Sequence, residues 1–262
     1  MAEQDLGQNI IAVDRRVSQL SKALIRTRQR VYAVEQENKM LRRGVEPRMP
    51  IEFTSQYGED LLAWDLLGGP SSGFFIEAGA FDGYRYSVTY PFEAVGWTGL
   101  LVEAIPAVCR RCVERRPFSR VVNAALSHRN VVGQVEFTVI ADAFGGMMSH
   151  AAGLGYVPAD AVIGRETVRV PATNLNTLLA SHEGEIDLVV LDVEGAEPDV
   201  LDGFDVARYR PRLMLIETNE AARIQGLVMR HGYTQVGQVE SNLVFVRNDQ
   251  AEVFERVKWM RF

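Results

Sequence analysis

The chain predicts an α/β fold: a mainly parallel seven-stranded sheet with a C-terminal antiparallel hairpin, preceded by an N-terminal coiled-coil helix. Three observations predict it. Five short apolar runs alternate with helical patterns, the mark of parallel strands buried on both faces. Two further runs, separated only by Glu240-Ser241, read as a hairpin. The first forty residues repeat apolar side chains at alternating steps of four and three.

The helix comes first. Its seam is Leu6, Ile10, Val13, Val17, Leu20, Leu24, Thr27, Val31, Val34, Asn38 and Leu41, and Gly44 and Pro47 end it. With Ile10 at heptad position a, Arg30 (g) pairs with Glu35 (e) and Glu37 (g) with Arg42 (e) between parallel, in-register chains. A helix folded onto its own domain usually shows a wider stripe, so the pattern predicts a homo-oligomer through residues 6–41. Asn38 at an a position suits a dimer. Val13, Thr27 and Val34 put β-branched residues at d, and Arg30-Val31-Tyr32-Ala33-Val34-Glu35 resembles a trimer pattern, so a trimer takes precedence. Residues 1–43 are then the oligomerisation helix, 44–51 a linker that makes it separable, and 52–262 the main domain.

In that domain the strand runs are Phe74–Ala78, Gly99–Glu103, Arg120–Ala125, Ile186–Asp192 and Pro211–Glu217, then the hairpin Thr234–Val239 and Asn242–Arg247. Pro106–Arg115, Pro198–Phe204 and Ala221–His231 read as helices between them. Residues 133–172 break the alternation. Gln134–Ile140 and Thr167–Pro171 read as an inserted strand pair, with a Gly- and Met-rich loop lying over the site. Five parallel strands and a hairpin are the layout of class I S-adenosylmethionine-dependent methyltransferases, whereas a dinucleotide-binding dehydrogenase more often continues in βα units.

Composition narrows the partners. Hydrophobic residues make up 47% and charged residues 24%, as in globular soluble domains. Residues 1–50 carry ten Lys or Arg against six Asp or Glu, and the remainder eighteen against twenty-eight. An acidic main domain is a poor match for a phosphate backbone, so a small molecule or glycan is expected and nucleic acid is not. No apolar run approaches the roughly 18 residues of a membrane span. The N-terminus shows no secretory pattern, and Cys109 and Cys112 form no disulfide framework. Together these predict a cytoplasmic protein. The C-x-x-C lies in a predicted helix without a second pair and reads as ordinary thiols rather than a zinc site.

Chemistry is sought at the carboxyl ends of the strands, where open α/β sheets bind ligands. The first run ends in Glu77-Ala78-Gly79-Ala80-Phe81-Asp82-Gly83, whose small residues permit a sharp turn and close approach. The second ends in Glu103, 26 residues after Glu77, a position from which a carboxylate can accept ribose hydroxyls. A nicotinamide would satisfy the same pair, but no GxGxxG is present. The fourth ends in Asp192-Val193-Glu194-Gly195-Ala196-Glu197. Carboxylates there need a partner or ligand. Asp192 reads as an active-site group, and Glu197 as an acid complementing a helix N-terminus.

Four segments then carry a resemblance. Ser55-Gln56-Tyr57-Gly58-Glu59-Asp60, Phe75–Gly83, Gly96-Trp97-Thr98-Gly99-Leu100-Leu101-Val102-Glu103 and Leu191–Glu197 resemble the FkbM family of methyltransferases over about residues 52–247. That resemblance implies a Rossmann-like class I methyltransferase fold, S-adenosylmethionine, and O-methylation of a sugar or polyketide hydroxyl. It assigns cofactor binding to Gln56, Tyr57, Glu77, Gly79, Ala80, Asp82, Gly83, Glu103 and Asp192, with Asn123 or Ala124 bordering the adenine. Asp192 and Glu194 should face the methyl group and acceptor, with His150 of the insert another candidate base. Asp at position 77 and Asn at position 81 are more usual in the family; Phe81 narrows the pocket. A divalent cation held by Asp192, Glu194 or Glu217 has no definite ligand spacing behind it. The expected function is therefore O-methylation of a hydroxyl on a surface glycan or glycosylated metabolite. Two other readings are a scaffold with a vestigial fold, against which Glu103 and Asp192 speak, and a nicotinamide-dependent oxidoreductase.

Overall fold

The computed structural model describes residues 2–69, 72–131, 133–141, 150–151 and 164–259. In chain order the first elements are α1 (Ala2–Arg42), α2 (Glu59–Leu67), β1 (Phe74–Ala78), α3 (Tyr90–Ala94), β2 (Thr98–Glu103), α4 (Pro106–Arg115) and β3 (Arg120–Asn123). The insert follows, with β4 (Ala125–Leu126), β5 (Gln134–Ala141), β6 (His150–Ala151) and β7 (Gly164–Thr173). The chain continues through α5 (Leu175–Leu178), β8 (Leu188–Leu191), α6 (Glu197–Asp202), α7 (Val206–Tyr209) and β9 (Leu213–Glu217). It closes with α8 (Ala221–Met229), β10 (Tyr233–Val239), β11 (Asn242–Arg247) and α9 (Ala251–Val257).

The main sheet has the strand order β10-β11-β9-β8-β1-β2-β3. Strands β3, β2, β1, β8 and β9 are parallel, and β11 runs antiparallel between β9 and β10. Successive side chains on a strand point to opposite faces, which divides the core into two layers. Ile76, Leu100, Val189 and Met214 face α5, α6, α7 and α8. Phe75, Leu101, Val190 and Leu215 face α2, α3 and α9. The expected parallel strands and the hairpin are all present.

Two stretches differ in detail. Arg120–Ala125, expected as one strand, breaks at Ala124, whose N–H donates to the Glu103 carbonyl at 3.2 Å. Beyond the break, β4 pairs with β7 in a second sheet of order β4-β7-β5-β6. The inserted pair β5 and β7 is antiparallel from Gln134↔Pro171 to Ala141↔Gly164. The Gly- and Met-rich loop expected over the site lies outside the described residues. Among the described residues no helix is long and apolar enough to cross a membrane.

The N-terminal helix forms as predicted but is not free of the domain. Its C-terminal half docks through Ile25, Gln29, Tyr32, Ala33, Gln36 and Met40, the side chains along α1 that are covered. These are heptad positions b, c and f, on the side away from the a/d seam. Tyr32 packs edge-on against Phe53, and its hydroxyl donates to Asp65 at 2.6 Å. Gln29 is buried and donates through Nε2 to the Ser55 carbonyl at 2.9 Å. Nor does 44–51 hang free: the Arg48 N–H donates to the Ala94 carbonyl, and Ile51 is buried. The expectation that the helix separates cleanly at this stretch is therefore corrected. The docked face is polar enough to escape a hydrophobic pattern and is held by specific hydrogen bonds.

Deleting residues 1–44 should consequently destabilise the domain, whereas deleting residues 1–23, which keeps the docked face, should not. Gln29→Ala alone should cost about 1–3 kcal/mol, because it strips a donor from a buried polar cluster. Calorimetric unfolding of the three variants checks this; equal unfolding temperatures for the two truncations would show that docking contributes nothing.

Candidate active site

One pocket spans the carboxyl ends of the parallel strands from β3 to β9 and the start of β11. Its β2–β3 end is apolar, walled by Phe81, Ile105, Ala124, Leu126 and Phe137. Its β9–β11 end is polar, with Gln56, Tyr57, Glu59, Glu217 and Asn242. Gly79, Ala80, Glu103, Asp192 and Glu194 lie between.

The turn after β1 is set by Gly79, at φ +80. A Cβ there would sit 1.7 Å from the Asp192 carbonyl oxygen, so the ends of β1 and β8 approach as only a glycine allows. Glu103, closing β2, is nearly enclosed. It accepts from the Phe81 N–H at 2.9 Å and the Ile105 N–H at 2.7 Å, and burial pushes its carboxyl up to about 7 despite those donors. Phe81 packs with Ile105, Val108 and Phe137 into an apolar wall beside it. Asn123 does not reach the pocket: its side chain donates to the Glu103 and Ala104 carbonyls and fixes the end of β2, while Ala124 takes the wall position.

Three other expected cofactor residues support the pocket from behind. The Glu77 carboxylate borders it but accepts from Val88 N–H, Ser87 Oγ and Thr89 Oγ1, with Arg116 Nη1 at 3.4 Å. Asp82 accepts from the Tyr84 and Arg85 N–H groups and pairs with Arg115 at 2.5 Å. A Cβ on Gly83 would meet Arg116 and Cys112. Glu77, Asp82 and Gly83 thus hold the loop from Phe81 to Thr89, which presents Tyr86, Ser87 and Val88 to the pocket. Asp82 and Gly83 therefore stand behind the pocket lining, Ala124 of the Asn123–Ala124 pair borders the pocket, and Glu77 is chiefly a loop anchor.

At the polar end the acids converge. Asp192 and Glu217 share a hydrogen bond, and burial holds the Asp192 carboxyl well above the usual carboxylate range. The charge on Glu217, that hydrogen bond, and then Glu194 and Glu197 add to the shift. Glu217 also accepts from Ser241 Oγ at 2.7 Å. Glu194 stands in the left-handed region at φ +54, as do Phe81 (+46) and Tyr86 (+59), which also line the pocket. Glu197 folds back to accept from the Val193 and Gly195 N–H groups at 3.0 and 3.1 Å, a structural role as expected. Burial raises the Glu59 carboxyl to about 7. The His150 side chain lies outside the described residues. Cys109 and Cys112 are buried free thiols. Among the described residues no three His, Cys, Asp or Glu are grouped to hold a metal ion.

Sequence reasoning missed Ile105, Phe137, Tyr86, Glu59 and Asn242. Only Glu59 had a signal, its place in the Ser55–Asp60 segment; Asn242 reaches the site through its pairing with Glu217 across β11 and β9.

A parallel sheet whose final antiparallel strand inserts beside β9, with a glycine turn ending β1 and an acid ending β2, defines a class I S-adenosylmethionine-dependent methyltransferase. The model of the methyltransferase FkbM domain matches residues 77–248, and the chain belongs to that family. The residues fit the cofactor: Gly79 and Ala80 present the turn backbone to the pocket with little side chain, Glu103 keeps acceptor capacity toward it, and Ala124 and Leu126 offer an apolar slot.

Solved structures are similar at low identity. A TehB-like S-adenosylmethionine-dependent methyltransferase from Corynebacterium glutamicum is 13% identical, covering 84% of this chain and 98% of that one, with TM-score 0.40. The human methyltransferase 10 domain containing protein is 12% identical, covering 88% and 96%, with TM-score 0.43. The METTL16 methyltransferase domain is 14% identical, covering 72% of this chain and 65% of that domain, just under two thirds of its length, with TM-score 0.39. No curated protein sequence matches the chain.

A ribose hydroxyl at Glu103 would donate to its ionised form. With its carboxyl at about 7, that form falls to about one molecule in ten at pH 6. Affinity for S-adenosylhomocysteine should therefore fall about tenfold from pH 8 to pH 6, and Glu103→Gln should bind more weakly and flatten that slope. Calorimetric titration across this range tests it; a flat wild-type profile would remove Glu103 from the ribose contact.

Proposed function

We propose that the protein transfers a methyl group from S-adenosylmethionine to a hydroxyl of a sugar, on a surface glycan or a glycosylated metabolite. The observation that carries this reading is the Asp192–Glu217 carboxyl pair at the polar end of the pocket. The cofactor supplies an electrophilic methyl carbon on a sulfonium. An alcohol is a weak nucleophile, and its attack is helped by a group that takes its proton as the new C–O bond forms.

The pair suits that task. Burial, with the neighbouring Glu217 charge, holds the Asp192 carboxyl well above the usual carboxylate range, so its ionised form is a stronger base than an ordinary carboxylate. Ionised Asp192 takes the proton leaving the acceptor hydroxyl. Glu194, on the same turn as Asp192, lies where it can orient the acceptor. Gln56, Tyr57 and Asn242 give that end the mixed donors and acceptors that a polyol requires. Phe81, Ile105 and Phe137 exclude water from the other end, and the rigid strand ends align the reactants.

Incubation with methyl-labelled cofactor and glycan fractions tests the acceptor class. A label on sugar that survives alkaline hydrolysis is a methyl ether and supports the reading; label on a carboxyl ester or an amine overturns it. Asp192→Asn should lower turnover by about 10²–10⁴-fold with cofactor affinity little changed, the range for loss of a general base. Wild-type turnover in that variant would take Asp192 out of the proton transfer.

A further inference from the structure

Helix α1 has two faces, and its own domain uses only one. Each described side chain at heptad positions a, d, e and g, from Val13 to Arg42, is exposed, while each covered one lies at b, c or f. On the free face Val13, Val17, Leu20, Leu24, Val31 and Val34 form a continuous apolar seam, exposed from 51% at Val31 to 64% at Leu20. A contiguous apolar stripe of this length marks an interaction surface. The polar residues on it are ready to be covered: Thr27 Oγ1 donates to the Ala23 carbonyl and Asn38 Nδ2 to the Val34 carbonyl, each at 2.8 Å.

We infer that the seam is covered by the same seam of other copies of this chain, in a parallel three-stranded coiled coil, with the catalytic domains hung on its outer side. The steps of four and three complement themselves and fit knobs-into-holes packing. The flanking charges choose the partner. Arg30 faces Glu35, and Glu37 faces Arg42, only when the copies run parallel and in register. Valine at two d positions and threonine at a third favour three strands over two. Docking through b, c and f leaves the whole seam clear of the domain. Because Gln29 bonds to Ser55, next to the pocket residues Gln56 and Tyr57, the polar rim of each pocket abuts the stalk.

The test uses the full chain and does not depend on the acceptor. Light scattering at micromolar concentration should give the mass of three chains. Leu20→Glu with Leu24→Glu, both exposed on the single chain, should reduce it threefold to one chain while leaving the domain's unfolding and S-adenosylhomocysteine binding unchanged. Arg30→Glu should weaken assembly, and adding Glu35→Arg should restore it. A one-chain mass for the wild type, or an assembly indifferent to the leucine substitutions, overturns the inference. A two-chain mass overturns the three-strand arrangement, and failure of the charge exchange overturns the parallel register.

Discussion

The carbonyl of Asp192 and the α-carbon of Gly79 occupy a space that no β-carbon could share. The contact extends the β1–β8 pairing one step past the strands, since the Asp192 N–H donates to the Ala78 carbonyl at 3.0 Å. On the other side, the Gly79 and Ala80 N–H groups both donate to the Val102 carbonyl. The turn is thereby pinned between its two neighbours, with Asp192 on one flank and Glu103 on the other. The cofactor turn and the carboxylate assigned the proton are parts of one rigid piece. A side chain at position 79 would drive β1 and β8 apart and displace both.

The loop beyond that turn depends on a buried cation. Arg116 is 1% exposed and lies between Glu93 (2.6 Å) and Glu77 (3.4 Å), with its remaining donors on Gly83, Ser87 and Thr89. Its guanidinium also stacks over Phe75 at 5.1 Å. Burying such a charge is costly unless its donors are met, and here the partners come from both ends of the loop. That gives the pocket wall around Tyr86 and Val88 a fixed shape without regular secondary structure.

Much of this architecture was legible in the amino-acid order, for physical reasons. A strand buried on both faces must be apolar throughout, so β1, β2, β8 and β9 declared themselves. Helix α2 did not: Leu61, Ala63, Trp64, Leu66 and Leu67 bury it on several sides, which erases the helical period. The docked face of α1 was hidden for the opposite reason: Gln29, Tyr32 and Gln36 are polar, and Gln29 and Tyr32 hold by hydrogen bonds. At the site, Glu103 and Glu77 look alike as acids ending adjacent strands. What separates them is Arg116, distant in the chain, which engages one and leaves the other to the pocket. Asp192 and Glu217 stand together in the sequence only as candidate cation ligands, and it is the adjacency of β8 and β9 that joins them as a carboxyl pair.

Phe81, Tyr86 and Glu194 line the pocket in a backbone conformation that L-residues with side chains adopt at an energetic cost. The surrounding fold must over-determine them for that conformation to persist. At Phe81 the packed ring outweighs any relief, but efforts to make this protein more heat-resistant will find easy gains at Tyr86 and Glu194, where glycine or asparagine would relax the chain. Those gains would come at the pocket lining, so selection on melting temperature alone would drift toward a sturdier and less capable enzyme.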